Sequence, residues 1–272
     1  MAFSYIGGKS RIGIWIKNYI PYDIETYIES FGGAFWVFFK LDIDKYKNLK
    51  KVIYNDYNKL NSNLFACIKN YDKFYQYIKD VKSQNEELFY EYQKHSFNND
   101  FIFDSKNPNY QLGLEYIYVV TQVFSGSKPE KSKFINLRGK YKSKFDTFRD
   151  KLINPKWQKL FSKIDIVENL DFEKAILKYD NEKTFHYIDA PYYNTEHFYS
   201  KHDFKKEDHE RLSKILHNIK GRFAMSYYYF DKLDNWYPNN KYRWESKNFK
   251  KSASAQNGKK QNNSTELLIM NY

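Results

Sequence analysis

The chain has 272 residues, 42% of them hydrophobic, and a formal net charge of +12. A mean hydropathy of −0.83, with no run of about 18 apolar residues, excludes a membrane span. A single cysteine, Cys67, excludes an internal disulfide. Cys67 lies in the apolar run Leu64–Ile68 and reads as a packing residue. The first ten residues lack an apolar signal-peptide core, so a cytoplasmic location is expected. The length suits one large domain or two unequal ones. The positive charge suits a polyanion or an anionic membrane face. The excess of 39 Lys over 6 Arg is also what AT-rich coding alone generates.

The first motif is Tyr5-Ile6-Gly7-Gly8-Lys9-Ser10. Paired glycines let a backbone approach a ligand closely. Ser10 can cap a helix marked by Ile12, Ile16 and Ile20, which Pro21 ends. A plain turn before a helix fits the same residues, and phosphate-loop spacing is missing.

Thr26–Ser30 reads as a strand and Phe31-Gly32-Gly33-Ala34 as a glycine turn, with an apolar helix through Lys40. Strand, glycine turn and helix open a nucleotide-binding doubly wound sheet. The dinucleotide fingerprint is absent, which disfavours NAD. Lys51–Asn55 is a second strand. Asp56 at its tip, about 23 residues past Gly33, is placed to accept two ribose hydroxyls. Glu29 and Asp56 would then bracket one adenosine-sized ligand. Asp56 equally reads as a cap for a helix from Asn58.

From about Ser62 to Lys159 glycines nearly vanish, and helical periodicity appears at 73–82, 85–96 and 109–125. This reads as an inserted, mostly helical domain. The stretch Lys128–Lys151 carries nine Lys or Arg against three acids, half of the chain's net charge. Lys128, Lys131, Lys133, Arg138, Lys140 and Lys142 are candidate phosphate contacts. Asn136 and Tyr141, with Phe134 and Phe145, are placed among them to reach bases. A solvated charged loop is the competing reading.

The strand–helix alternation resumes at Ile164–Val167, with Asp171 and Phe172 opening a helix at 172–178. Thr184–Ile188 then carries Asp189 to a strand tip, where Ala190, Pro191, Tyr192 and Tyr193 follow. Pro191 has no N–H and stops the ladder. Ligands of open α/β sheets bind outside the carboxyl ends of strands. A carboxylate, a free carbonyl and a ring at such a place suit a flat heterocycle bearing an amine. An Asx-type turn with two packing tyrosines is the alternative, because the chain holds 27 Tyr and 23 Phe. A helix carrying Leu212, Ile215 and Leu216, a strand at Arg222–Tyr227 and a closing antiparallel pair at 241–247 and 265–271 complete the pattern. The residues between that pair, 250–263, read as a polar loop.

Taken in order, these motifs resemble those of the Dam-type (D12 class, alpha group) DNA adenine-N6 methyltransferases. Tyr5, Gly7, Gly8 and Lys9 resemble the family's N-terminal cofactor motif. Glu29, Phe31 and Gly33 fall on its Phe-x-Gly-x-Gly motif, with Gly32 between them. Asn55 and Asp56 resemble its ribose-binding pair, and Asp171 and Phe172 the pair that seats the cofactor's adenine. Asp189–Tyr192 resemble the catalytic Asp-Pro-Pro-Tyr, Asp208 and His209 a following Asp-His, and Thr265–Ile269 with Asn271 the last strand. Phe35 replaces the motif's last Gly, and Ala190 replaces the first Pro. The family's target-reading hairpin has no clear counterpart in 124–151, so no target sequence carries over.

The resemblance implies an α/β fold. Its sheet is Rossmann-like and of the class I methyltransferase type, mostly parallel with a closing antiparallel hairpin. Residues 1–61 and 160–272 would form the catalytic domain and 62–159 a helical target-recognition domain. It implies S-adenosylmethionine as cofactor, with Tyr5, Gly8, Lys9, Phe31, Gly32, Gly33, Asp56, Asp171, Phe172 and Asp189 around it. It implies double-stranded DNA as partner and a flipped-out target base. Asp189 and the Ala190 carbonyl would accept the two N6 hydrogens, and Tyr192 would stack on the base. Tyr193, Phe198 and Tyr199 are further candidates for holding that base. No metal is implied; His197 and His202 beside Asp203 are the one faint ligand pattern. A DNA-binding protein of this fold without turnover, and a cytosine-N4 or RNA methyltransferase, are the alternatives.

Overall fold

The computed structural model describes residues 9, 12–123, 128–137, 141–194, 204–250 and 263–272. Among them, seven strands form one sheet: β1 (Thr26–Glu29), β2 (Lys51–Asn55), β3 (Ile166–Glu168), β4 (Thr184–Ile188), β5 (Arg222–Tyr227), β6 (Arg243–Lys250) and β7 (Asn263–Met270). Their order is β3-β2-β1-β4-β5-β7-β6. β1 to β5 pair in parallel, and β7 runs antiparallel between β5 and β6. The expected α/β class and closing hairpin are therefore what forms. The winding direction reverses between β1 and β4, which places a crevice at their carboxyl ends. The pairing Glu29↔Tyr187 brings the segments bearing Phe31 and Asp189 out of the sheet side by side.

β1 and β4 are buried along their whole length, as parallel strands covered on both faces are. On one face Tyr27, Tyr54, Phe185 and Tyr187 join the larger apolar cluster. On the other, Ile188, Phe223 and Met225 pack with Phe172 and Ile176 of α8 (Phe172–Tyr179) and with Leu212 and Leu216 of α9 (Lys206–Leu216).

The larger cluster does not stop at the sheet. It continues through Leu64 and Phe65 of α2 (Lys59–Lys69), Phe74 of α3 (Tyr71–Ile78), Phe89 of α4 (Glu86–Asn98) and Tyr116 of α5 (Tyr110–Thr121). Beyond these it takes in Phe145 of α6 (Lys144–Leu152) and Phe161 of α7 (Pro155–Phe161). The helical segment thus shares one continuous core with the sheet. All of these helices except α3 begin where a short polar side chain caps them: Asn58 accepts from Leu60 N–H, Asn85 from Leu88, Asn109 from Leu112, Ser143 from Asp146 and Asn154 from Lys156. Each such cap contributes about 1 kcal/mol.

Two local expectations change. The apolar helix after the glycine turn is a single 3-10 turn, Phe38–Lys40. Phe35 is the reason: its φ of 55° breaks a right-handed helix at its start. The first helix is also short, Gly13–Ile16 with a 3-10 turn at Lys17–Tyr19. Its cap position is Ile12, with no side-chain cap. Ser10 lies outside the described residues.

Candidate active site

The glycine turn is held by the acid expected to touch ribose. Asp56 is 3% exposed. Its Oδ2 accepts from Gly33 N–H at 2.7 Å and Asn61 Nδ2 at 3.1 Å, and its Oδ1 from Asn58 N–H at 2.8 Å. Gly33 needs its glycine, with φ at 48°. Gly32 needs its own for space, since a Cβ there would lie 2.4 Å from the Tyr54 ring. Asn58, not Asp56, is the helix cap. Asn55 stitches three strand ends together: its amide donates to the carbonyls of Ser30 and Leu170 and accepts from Leu170 N–H. Glu29 is a correction. It does not bracket a ligand with Asp56, because its carboxyl is 2% exposed and accepts from Tyr27 Oη and Phe38 N–H. Burial raises its pKa to about 8.

Beyond the ends of β1 and β3 lies a cavity of about 210 Å³, lined by Ser30, Phe31, Tyr57, Asp171, Phe172 and Arg211 among others. Phe31 and Phe172 stack with centroids 5.3 Å apart. Asp171 caps α8 through Glu173 N–H. Its carboxylate also receives a two-pronged contact from Arg211, at 3.1 and 2.9 Å. The Arg211 guanidinium lies 4.2 Å from the centroid of the Phe172 ring, a cation–π placement. Asp208, which also holds Lys205 N–H, pairs with the same guanidinium. Arg211 was not legible as a site residue, because its role depends on α9 crossing the start of α8.

Across the crevice, β4 delivers Asp189. Its side chain is 21% exposed, and Lys9 Nζ lies 2.7 Å from Oδ1. Lys9 is 5% exposed. It also donates to Tyr192 Oη at 2.6 Å, and lies 3.3 Å from Glu266 Oε1. The Tyr192 hydroxyl donates to Glu266 in turn. Burial raises the carboxyl pKa values of Asp189 and Glu266, and the Lys9 ammonium pulls both down. Ala190 and Pro191 are buried and Tyr192 is half-buried, its ring against Tyr227 and Tyr228. Lys9, read from sequence as a cofactor contact, is thus placed on the strand-tip acid. Glu266 is legible in the sequence as part of the last strand's motif but not as a site residue. Its signal was an acid heading the apolar run Leu267–Met270, where an unpartnered charge is costly.

The remaining candidates scatter. Tyr193 is half-buried; it stacks on Phe230 at 4.5 Å and meets His209 and Trp236 edge-on. His209 is buried and bonded to Tyr227 Oη. Lys128, Lys131, Lys133, Asn136, Tyr141 and Lys142 are exposed, and Lys142 pairs with Asp150. Phe145 is a correction: it is fully buried against Tyr118, because 144–152 forms a helix with one apolar face. Phe134 likewise packs on Phe89. Cys67 is buried, which raises its thiol pKa. Tyr5, Gly7, Gly8, Arg138, Lys140, His197, Phe198, Tyr199, His202 and Asp203 lie outside the described residues. Among the described residues no cluster of His, Cys, Asp or Glu could hold a metal ion, and no helix is long and apolar enough to cross a membrane.

Comparison with known proteins identifies the family. A family model described as D12 class N6 adenine-specific DNA methyltransferase matches residues 5–254. The type II methyltransferase M.MjaIII of Methanocaldococcus jannaschii is 28% identical across 98% of this chain and 97% of its own. The type II methyltransferase M.CviBI of Paramecium bursaria Chlorella virus NC1A is 25% identical, again across 98% and 97%.

Proposed function

The chain belongs to the D12 class of N6 adenine-specific DNA methyltransferases, and we propose on that footing how it divides the work. Its methyl donor is S-adenosylmethionine, Asp189 and the Ala190 carbonyl activate the target amine, and the helical segment 62–159 grips the DNA. The observation that carries this is the placement of Asp189. Its partly exposed side chain stands at the β4 tip, at the switch point of the sheet, beside the turn bearing Phe31.

The residues around the cavity fit the proposed cofactor. Phe31 and Phe172 offer ring surfaces, and Asp171 offers a carboxylate held in one orientation by Arg211. That set suits an adenine with an exocyclic amine. When bound, S-adenosylmethionine supplies an electrophilic methyl on a sulfonium.

The protein's part is to prepare the nucleophile. The lone pair of adenine N6 is delocalised into the ring, so the amine is a poor nucleophile. Asp189 and the Ala190 carbonyl accept its two hydrogens, favour a tetrahedral nitrogen and stabilise the positive charge that develops there. Tyr192, anchored through its hydroxyl to Lys9 and Glu266, stacks on the base. Holding base and donor in line supplies much of the acceleration. A base inside a duplex cannot reach a recessed carboxylate, so it is flipped out at a cost of a few kcal/mol. Phosphate contacts from Lys128, Lys131 and Lys133 offset that cost. The likeness to two type II methyltransferases supports modification of one fixed site, in a restriction–modification setting.

The test is transfer of a labelled methyl group from S-adenosylmethionine to DNA, followed by nucleoside mass spectrometry. N6-methyladenine is the expected product. Methylcytosine, or label in RNA alone, overturns the reading.

A further inference from the structure

Glu266 is an acid in a strand whose next four residues are apolar, and it is 1% exposed. Burying a carboxylate without a partner is costly. Two partners reach it, the Tyr192 hydroxyl and, at 3.3 Å, the Lys9 ammonium. The same ammonium stands 2.7 Å from Asp189 Oδ1. One buried cation from the N-terminal segment therefore serves two carboxylates that lie far apart in the sequence, Asp189 and Glu266.

The charge balance of that trio bears on methyl transfer. Lys9 and Asp189 alone would form a neutral pair, with the carboxylate committed to the lysine. An amine that turns cationic as it is methylated gains little from a neutral pair. A second carboxylate shifts the balance: the trio has room to share the ammonium and keep a net negative charge facing the amine. Tyr192 reads the same arrangement, since its hydroxyl lies between Lys9 and Glu266 while its ring lies 4.8 Å from the ammonium.

We propose that Glu266 is a positioning residue for methyl transfer, carrying the charge of Lys9 so that Asp189 keeps an acceptor oxygen for the target amine. This rests on the assignment of Asp189 above. Glu266 does not touch the reacting atoms; it acts through Lys9.

The full-length chain is assayed as wild type, Glu266→Gln, Lys9→Met/Glu266→Gln and Asp189→Ala, with S-adenosylmethionine and DNA both saturating. Glu266→Gln is expected to lower kcat by at least about tenfold, with KM for DNA and cofactor affinity within about twofold of wild type. Removing Lys9 as well takes away the group that competes for Asp189, so the double variant is expected to turn over several times faster than Glu266→Gln. A merely structural glutamate would not give that recovery. A kcat for Glu266→Gln within twofold of wild type overturns the proposal, as does a double variant no faster than the single one. Should Glu266→Gln fail to fold, the double variant, which removes the buried ammonium together with the Glu266 carboxylate, is compared with wild type. A kcat within about tenfold then supports the proposal, and a loss beyond about 100-fold overturns it. Asp189→Ala separates the two claims. If it is inactive while Glu266→Gln is unaffected, only the role of Glu266 falls; if it is active, the assignment of Asp189 falls first.

Discussion

The ring of Phe35 meets the ring of Tyr54 edge-on, with centroids 5.2 Å apart, from a backbone position whose φ is 55°. A left-handed backbone is unfavourable for a side chain with a Cβ, by about 1–2 kcal/mol. Here a fully buried ring that also contacts Tyr27, Phe38, Phe39 and Phe65 holds it in place. This explains how a large residue occupies a position where the family pattern has glycine: the ring's packing offsets the backbone strain. Deleting it is expected to cost about 3–5 kcal/mol. The order of two truncations is the sharper test. Phe35→Gly is expected to be more stable than Phe35→Ala by about 1 kcal/mol, because only glycine accepts this φ freely. Urea unfolding of both variants checks it, and an alanine variant more stable than the glycine variant contradicts it.

Glu29 links stability to pH. Its folded pKa of about 8 is raised by burial from an ordinary value of 4.5. The folded chain therefore keeps a proton there that the unfolded chain releases. Glu29's contribution is fully present below about pH 4.5 and is lost as the pH rises towards 8, by up to about 1.4 kcal/mol per pH unit. Tyr27, Phe38 N–H, Asp189 and Lys9 are the groups that act on it. Glu29→Gln keeps an acceptor for Tyr27 and Phe38 and cannot ionise. Its unfolding free energy is expected to fall less steeply than that of wild type between pH 5 and 8. Equal slopes for the two proteins would show that Glu29 is not held neutral.

Lys128, Lys131 and Lys133 are exposed and are proposed to meet phosphates. Changing all three to glutamine is expected to weaken DNA binding. It should also flatten the dependence of log K on log salt by up to about 2.7, near 0.9 for each lost phosphate contact. Titrations at several salt concentrations measure this. An unchanged slope would move the DNA to another face.

Much of the fold was legible because local signals and packing agree. Lys51–Asn55 and Arg222–Tyr227 form strands with the bounds their apolar runs suggest, and the closing pair at 243–250 and 263–270 shifts by only a few residues. The helix expected after the glycine turn does not form, although its periodicity is intact, because one residue, Phe35, carries the wrong backbone sign. Phe145 reads as an accessible ring in the sequence because the charge of its neighbours hides the apolar spacing of Phe145, Phe148 and Leu152. Around Asp189 the limit was distance along the chain. Lys9 and Glu266 are brought together only by the sheet, in which β7 pairs with β5 beside β4. Arg211 reaches Asp171 only because α9 packs against α8. No local pattern announces either meeting.

The most direct measurement of the central claim is the single-turnover rate of methyl transfer to DNA by Asp189→Ala and Asp189→Asn, with DNA and cofactor binding measured in parallel. An acceptor carboxylate at this strand tip requires both rates to fall by at least about 10²–10³ while binding persists. A rate near wild type in either variant would contradict it.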